Sequence, residues 1–157
     1  MIANINYKGQ LESGEVDKID FTNTKVPPLQ KVIKSSVGSC MVVFPSGKFR
    51  LMGAKKPLSG RDYMHLPLLP KSIELQSVTI TDTFGDYINL ITMANRLTSR
   101  RCMFEPELFP AARLLEFNPL CVNVFATGKI VILGLKHIDK FTELLASVRS
   151  VILSAVN

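Results

Sequence analysis

The chain alternates apolar and polar positions over several short stretches, a pattern typical of half-buried β-strands. In the first stretch, residues 2–11, Ile5 and Tyr7 lie between asparagines and a lysine. Further runs of this kind predict strands at 29–33, 39–44, 49–54, 72–81, 112–117, 120–125 and 130–135. Four-residue turns containing a glycine join two pairs of these strands, so each pair is expected to form a hairpin.

Helical periodicity is strongest in the second part of the chain. Residues 85–100 predict an amphipathic helix, and its apolar stripe would consist of Ile88, Ile91, Ala94 and Leu97. The last segment predicts a long helix with one apolar face, formed by Phe141, Leu144, Leu145, Val148, Val151, Ile152 and Ala155. In the first part, prolines limit helix to a turn near 15–19 and another within 59–65.

One motif occurs twice, with its two copies 81 residues apart. The copies span 44–55 and 125–136, and each reads Phe-x-(Ser/Thr)-Gly-Lys, then four residues, then Gly-x-Lys. Cys40 and Cys121 share this register. A period near half the chain length indicates duplication. We therefore expect an α+β fold of two repeats, 1–71 and 72–157, with helices on one face of an antiparallel sheet and the other face open.

Composition narrows the classes of function. A hydrophobic fraction of 46% and a charged fraction of 20% are typical of a folded protein, and neither a membrane span nor a signal peptide is expected. The three cysteines form no CxxC pair and the two histidines lie far from them, which argues for reduced thiols and against a metal site. No nucleophile–base pair and no glycine-rich phosphate loop points to an enzyme.

Charge is distributed unequally between the two repeats. Residues 1–71 carry 11 Lys and Arg against 5 Asp and Glu, whereas residues 72–157 carry 8 of each. A basic half suggests an anionic partner such as nucleic acid. A solvated lysine-rich surface explains the charge equally well.

The segment 104–110, Phe-Glu-Pro-Glu-Leu-Phe-Pro, followed by the hairpin at 125–129, resembles the C-terminal repeat of the TATA-binding protein (TBP) family. In that family an acidic stirrup of this sequence precedes a strand and a Phe-x-Ser-Gly-Lys hairpin. The resemblance is strong over 72–157 and weaker over 1–71. It implies a saddle of two pseudo-symmetric repeats with a curved antiparallel sheet and helices on the convex face. The helices of the first repeat are reduced here.

The resemblance also implies how the protein would act, namely by sitting in the minor groove of DNA and bending it with inserted apolar side chains, a mode for which this family is a standard example. The family uses four phenylalanine wedges. Phe109 and Phe125 match the second pair and Phe44 matches one of the first pair, whereas the fourth position falls on Pro27 or Pro28.

The same resemblance assigns the groove floor. The central asparagines of the family correspond to Asn4 and Ser77, and side-chain alternation places Val42 and Asn123 on the wedge face. The valine and threonine of the family's return strands correspond to Arg50 and Met52 in the first half and to Val131 and Leu133 in the second. Ser77, Arg50 and Asn123 depart from the family pattern. An arginine suits a narrow minor groove, but it equally suits a floor that no longer prefers TATA-like DNA.

Contacts outside the floor follow in the same way. Phosphate contacts would come from Lys48, Lys55, Lys129, Lys136, Ser46 and Thr127. The phosphate-binding arginine of the family falls near Leu115, and Arg113, two residues away, receives no role. Glu105 and Glu107 match the stirrup that contacts transcription factor IIB. The second helix of the first repeat, which docks regulators in the family, is expected to be largely missing between 55 and 70.

The leading hypothesis is a short, diverged TBP-like general transcription factor that binds A·T-rich promoters and recruits a factor-IIB-like partner and the RNA polymerase machinery. The alternative is an interaction adaptor that kept the fold and lost sequence-specific DNA binding. No enzyme activity, cofactor or membrane is expected. Without DNA, a second copy is an expected partner of the apolar concave face. The expected location is the nucleus, or a cytoplasmic virus factory if the divergence reflects a viral origin.

Overall fold

The computed structural model describes residues 1–22, 30–38 and 40–156. The strands are β1 (Ile2–Leu11), β2 (Lys31–Lys34), β3 (Cys40–Val43), β4 (Lys48–Ala54), β5 (Pro70–Thr83), β6 (Cys102–Met103), β7 (Ala111–Leu114), β8 (Cys121–Phe125) and β9 (Lys129–Leu135). The helices are α1 (Gly60–Tyr63), α2 (Leu90–Leu97) and α3 (Phe141–Val156), with 3-10 turns at Val16–Lys18, Leu115–Phe117 and Ile138–Lys140.

The chain divides into two compact units. The first half is Ile2–Ser77, and the second half begins at Val78 and includes Met1. Strand β5 contributes its first residues to the first half and its last residues to the second. The boundary between repeats that the sequence indicates, after residue 71, stays a prediction.

In the first half the strand order is β2-β3-β4-β1, followed by the start of β5. The hairpin register pairs Met41 with Leu51 and Val43 with Phe49, so alternate side chains of neighbouring strands share one face. That face is buried through Ile5, Tyr7, Met41, Val43, Phe49 and Leu51. Burial of such side chains contributes about 1.5–3 kcal/mol each. Leu66 and Leu68, from the segment after α1, are buried too.

In the second half the order is the end of β5, then β9-β8-β7-β6. One sheet face is buried through Val78, Ile80, Ala112, Leu114, Val122, Val124, Ile130 and Ile132. Helices α2 and α3 supply the buried side chains Leu90, Met93, Leu97, Val148, Ile152 and Ala155. Arg149 ties α3 to β5 through Asp82 at 2.8 Å, and Arg96 Nη1 donates to the Ala155 carbonyl at 3.1 Å.

The opposite sheet face of each half, called the open face here, carries mostly exposed or half-buried side chains. Arg50 is exposed, Met52 is 38% exposed and Leu133 is 40% exposed. This face of each half is therefore the less buried of its two sheet faces. Within the described residues, no helix has both the length and the apolar character that crossing a membrane requires.

Most predicted elements are confirmed. The hairpins β3–β4 and β8–β9, the long first strand and the C-terminal helix lie where the sequence predicts them. The helices of the first half are short as expected, since α1 has four residues and the 3-10 turn at Val16–Lys18 has three. The predicted starts of two strands at Leu29 and Ser39 lie outside the described residues.

Three predictions were wrong in detail. The predicted stripe of the second-half helix included Ile91, which is 63% exposed, whereas Met93 is fully buried. The helix begins only at Leu90, because the Asn89 side chain accepts from the Thr92 N–H at 3.1 Å and caps it, and its buried stripe is Leu90, Met93 and Leu97. The predicted strand 112–117 ends at Leu114 and continues as a 3-10 turn. The predicted loop 102–109 begins with the short strand β6.

Candidate nucleic-acid interface

The two hairpin tips hold Phe44 and Phe125 at the ends of their strands. In the first tip the Phe44 N–H donates to the Lys48 carbonyl at 2.9 Å, and in the second the Gly128 N–H donates to the Phe125 carbonyl at 2.9 Å. The turn glycines Gly47 and Gly128 have φ of +83° and +86°, values that side chains disfavour. The repeated glycine of the Gly-Lys dipeptide therefore reflects the turn geometry at each hairpin tip.

Phe109 and Phe125 lie together. Their ring centroids are 6.1 Å apart with an interplanar angle of 66°, an edge-to-face arrangement. Phe109 is 48% exposed and follows a turn in which the Glu105 carbonyl accepts from the Leu108 and Phe109 N–H groups at 2.9 and 3.0 Å. Ala111 on β7 lies directly opposite Phe125 on β8. An aromatic pair is thus half exposed at one end of the second sheet.

The first half brings only Phe44 to the matching place. Phe44 is half-buried and lines a pocket of about 690 Å³ with Lys8, Lys48 and Arg50. The other predicted wedge position, Pro27 or Pro28, lies outside the described residues. Within the described residues, Phe44 is therefore the predicted wedge residue of the first half that can be placed, and it lies near Lys48, Arg50 and Glu74.

A row of cross-strand partners crosses the open face of the second half. On β7, β8, β9 and β5 these partners are Arg113, Asn123, Val131 and Thr81. Asn123 is 8% exposed, and Val131 is half-buried. Leu133 lies opposite Cys121 in the same ladder. The predicted floor residues of this half therefore share one face.

The corresponding row of the first half is more basic. On β2, β3, β4 and β1 its members are Val32, Val42, Arg50 and Lys8. Lys8 Nζ lies 3.4 Å from Glu74 Oε1, and both side chains are largely exposed, so this ion pair contributes little stability. Met52 lies opposite Cys40. The floor of this half thus combines valines with two cations.

The predicted central residues are both half-buried. Asn4 Oδ1 is buried and has no hydrogen-bond partner within the described residues. A buried polar atom without a partner is costly. Within the described residues, the Asn4 Oδ1 is therefore an unsatisfied acceptor. Ser77 is the last residue of the first half.

The predicted phosphate contacts are exposed at both hairpins, at Ser46, Lys48, Thr127, Lys129 and Lys136. Lys55 is exposed as well, but its Nζ donates to the Ala3 carbonyl at 2.6 Å. Both Gly-x-Lys segments turn through a glycine at positive φ, Gly53 at +84° and Gly134 at +91°. All six predicted groups thus lie at the surface, and the Lys55 ammonium is held against β1.

The stirrup segment is fully at the surface. Glu105 and Glu107 are exposed, and Leu108 between Glu107 and Phe109 is 78% exposed. The turn hydrogen bonds to the Glu105 carbonyl fix this loop through its backbone. The acidic side chains are therefore presented to solvent, where a partner could contact them.

Two open-face residues escaped the sequence reasoning. Arg113 pairs with Asn123 and Lys8 pairs with Arg50. Ala111 pairs with Phe125, so the alternation of side chains along β7 puts Arg113 on the open face. The sequence would have shown this if it had predicted that β7 begins at Ala111. Among the residues described, no His, Cys, Asp and Glu cluster is arranged to hold a metal. Burial raises the pKa of the Cys102 thiol, which keeps this thiol in its unreactive form.

The architecture defines a class first: an α+β protein of two similar halves, each an antiparallel sheet with one open face. The family model described as "Transcription factor TFIID (or TATA-binding protein, TBP)" matches residues 72–155, more than half of the chain. The chain belongs to this family and is a TBP-like transcription factor, which confirms the family and the TBP-like fold expected from the sequence.

A solved structure extends the likeness of fold to the rest of the chain. The TBP of Methanococcus jannaschii is similar with a TM-score of 0.70 at 23% sequence identity, over 98% of this chain and 97% of that chain. A search of the curated proteins gave no match. The likeness of fold therefore extends to residues 1–71, which lie outside the family match, as well as to the second half.

Proposed function

We propose that this protein is a general transcription factor that binds the minor groove of A·T-rich promoter DNA, bends it by inserting Phe109, Phe125 and Phe44, and recruits a factor-IIB-like partner. The open faces would form the groove floor, and the hairpin lysines would contact the phosphates. An inserted apolar side chain replaces part of the stacking that a kinked base step loses.

The observation that carries this proposal is the Phe109–Phe125 pair. A folded protein gains little from an aromatic edge-to-face pair of which one ring is 48% exposed, unless a partner covers it. The pair lies at the end of an open β-sheet face rather than against the helices. Exposed lysines and a threonine at the same hairpin supply the charge and donors that DNA phosphates require.

A binding titration tests the wedge role. We expect the Phe109→Ala/Phe125→Ala variant to bind an A·T-rich duplex at least about tenfold more weakly than the unmodified protein, because each base–aromatic contact contributes about 1–3 kcal/mol. Gel shift at low salt measures this. The matched control is Tyr87→Ala/Ile91→Ala, which removes two side chains that are 86% and 63% exposed elsewhere in the second half.

Two outcomes would count against the proposal. If the unmodified protein binds no duplex even at low salt, the DNA-binding function falls and the adaptor alternative gains. If the wedge variant binds as well as the control, attraction is only electrostatic and bending by insertion is wrong. The polar side chains of Arg50 and Asn123 at predicted floor positions support the adaptor alternative.

Recruitment of a factor-IIB-like partner would use Glu105 and Glu107. Their exposure on a hydrogen-bonded turn supports this part of the proposal. We expect Glu107→Arg to keep DNA binding and to weaken the ternary complex with the partner. Glu143→Arg, a reversal of another exposed acid, is the charge-matched control. Loss of DNA binding in the stirrup variant alone would contradict the assignment.

Two further parts of the proposal follow from the same surface. In the absence of DNA, a second copy would cover the apolar part of the open face, and DNA would compete with it. The site of action would be the nucleus, or a cytoplasmic transcription site if the protein is viral. Sedimentation with and without duplex tests the first point, since DNA should convert dimer to a protomer–DNA complex.

A further inference from the structure

A pocket of about 340 Å³ opens beside the aromatic pair on the open face of the second half. Phe109 forms part of its wall, and Arg113 and Asn123 contribute its polar groups. Arg113 and Asn123 are Cα partners on β7 and β8. The pocket therefore brings two hydrogen-bonding side chains together on this sheet face.

The guanidinium in this pocket has a donor without a partner. Arg113 Nε is buried and makes no hydrogen bond within the described residues. A buried donor without an acceptor is unfavourable in the free protein. An acceptor brought within reach of this atom would remove that cost, and Arg113 lines the pocket from which an acceptor could approach.

Asn123 offers complementary chemistry. The residue is 8% exposed, and its Oδ1 lies 3.7 Å from the Cys121 Sγ. A thiol is a weak donor and an amide oxygen has two lone pairs, so Oδ1 retains acceptor capacity. Arg113 and Asn123 together present donors beside an acceptor.

That combination distinguishes base pairs in the minor groove. An A·T pair shows only acceptors there, whereas guanine adds an amino group that donates. Arg113 can donate to a purine N3 or a pyrimidine O2, and the Asn123 oxygen can accept from the guanine amino group. With adenine the Asn123 oxygen would face a C–H and stay unpaired. The pair therefore complements the minor-groove edge of guanine.

The pocket is better suited to a base edge than to a phosphate. Glu105 also lines it, and its carboxylate would repel a phosphate brought to Arg113. No hydrogen bond joins Glu105 to the Arg113 Nε in the described part of the chain, so Glu105 does not satisfy this donor. A neutral base edge meets no such repulsion.

We propose that Arg113 and Asn123 are specificity-determining residues that recognise a guanine amino group in the minor groove beside the Phe109–Phe125 wedge. This inference rests on the proposed DNA-binding function. Asn123 lies two residues from Phe125 along β8, a distance of about 7 Å or roughly two base-pair steps. The preferred G·C pair is therefore expected about two steps from the base step that the wedge opens.

The preference belongs to one half only. The positions 81 residues earlier are Val32 and Val42, which are also Cα partners and offer no hydrogen bond. A guanine amino group facing two valines would lose its solvation without compensation. One end of the site would therefore accept G·C and the other would not, which gives the bound protein a direction on the DNA.

Replacement of guanine by hypoxanthine tests the inference, because hypoxanthine lacks only the amino group. In a series of A·T-rich duplexes, a single G·C or hypoxanthine·C pair is moved across the site, and binding is measured by fluorescence anisotropy. At one position, on one side of the site, we expect the duplex with G·C to bind about tenfold more tightly than the duplex with hypoxanthine·C. Guanine makes the hydrogen bond to the pocket, whereas hypoxanthine leaves the buried acceptor without a partner. At the same position 2,6-diaminopurine·T should bind more tightly than A·T.

Variants assign the effect to the pocket. Asn123→Leu should bring the G·C to hypoxanthine·C ratio at that position to about one or below, since an apolar side chain cannot accept from the amino group. Asn95→Leu, a change at an exposed position on α2, should keep the ratio of the unmodified protein. The scan with unmodified protein does not depend on how either variant folds.

Each outcome bears on a different claim. If A·T-rich duplexes bind and no position responds to the amino group, this inference is overturned and the proposed function stands. If Asn123→Leu keeps the ratio, another residue reads the amino group and the inference is wrong. If no duplex binds, the proposed function fails and the inference fails with it.

Discussion

At the scale of single residues, backbone geometry explains the repeated Gly-Lys dipeptide. Gly128 has a φ of +86°, and a Cβ at this position would lie 2.5 Å from the Asp86 carbonyl oxygen. The Phe84 and Ile88 N–H groups donate to the Gly128 and Ala126 carbonyls at 2.7 and 2.8 Å. The wedge hairpin is thus held against the segment that precedes α2.

Substitutions at two glycines separate the cost of a positive φ from the cost of a clash with neighbouring backbone. Gly85 also has a positive φ, +102°, but has nothing within 4 Å of a Cβ. We expect Gly85→Ala to lower the free energy of unfolding by about 1 kcal/mol. Gly128→Ala should cost clearly more, because it adds the clash with the Asp86 backbone. Urea denaturation of both variants measures the difference, and equal losses would contradict the role of close packing at Gly128.

Local turn chemistry is what made the hairpins predictable, and cross-strand register is what made part of the site unpredictable. Phe125 and Gly128 are close in sequence, so the strand end and its turn could be assigned without tertiary information. Arg113 faces Asn123 only because β7 starts at Ala111 and pairs in one register. A shift by one residue would move it to the buried face, and the sequence alone does not set that register.

At the scale of elements, α2 shows that a short helix can offer two apolar stripes. The apolar periodicity of 85–100 is compatible with either stripe, and the structure buries Met93 and exposes Ile91. The C-terminal helix has no such ambiguity, because its apolar face repeats over sixteen residues. Helix existence therefore follows from periodicity, whereas the buried face of a short helix depends on its tertiary packing.

Core truncation tests this correction. We expect Met93→Ala to lower the free energy of unfolding by about 2–5 kcal/mol, the usual cost of a cavity at a fully buried methionine. Ile91→Ala should change stability by less than about 0.5 kcal/mol, because the side chain is mostly exposed. Thermal or urea unfolding provides both values. A larger loss of unfolding free energy for Ile91→Ala than for Met93→Ala would support the buried stripe predicted from the sequence.

A buried carboxylate links the polar segment of the first half to the start of β5. Glu15 accepts from Lys18 Nζ at 2.6 Å and from the Leu69 N–H at 3.0 Å. The hydrogen bond from Lys18, followed by the one from Leu69, lowers the pKa of Glu15 below its ordinary value. A lowered folded-state pKa means that the stabilisation is complete above the unfolded value of about 4.3 and is lost as pH falls through the folded value.

We therefore expect the unmodified protein to lose stability as pH falls through that range. Glu15→Gln should be less stable at neutral pH, and its stability should fall less on acidification. The melting temperature between pH 7 and pH 3 measures both effects. Glu12→Gln, at an exposed position nearby, is the control and should follow the unmodified protein. A Glu15→Gln curve parallel to that of the control would refute the linkage.

At the scale of the whole molecule, the excess positive charge lies in residues 1–71 and the recognisable family motif lies in residues 72–155. The sequence predicted both features, because charge and motif need no coordinates. The prediction for the fourth wedge falls outside the described residues. Shape recognition is therefore expected mainly from the second half, and much of the electrostatic attraction from the first.

Salt dependence tests the phosphate contacts. On B-DNA the slope of log K against log salt changes by about 0.9 for each phosphate that a protein cation no longer neutralises. We expect Lys129→Ala to reduce the magnitude of the slope by about 1, whereas Lys140→Ala, at an exposed position before α3, should leave it unchanged. Binding isotherms between low and moderate salt give the slopes. An unchanged slope for Lys129→Ala would remove this lysine from the interface.

Bending of DNA tests the central claim most directly. An A·T-rich duplex labelled at both ends reports its end-to-end distance by energy transfer, and saturating protein removes differences in affinity. We predict that the unmodified protein shortens this distance, and that Phe109→Ala/Phe125→Ala shortens it less although the duplex is bound. If saturating unmodified protein leaves the duplex straight, insertion by the Phe109–Phe125 pair is wrong.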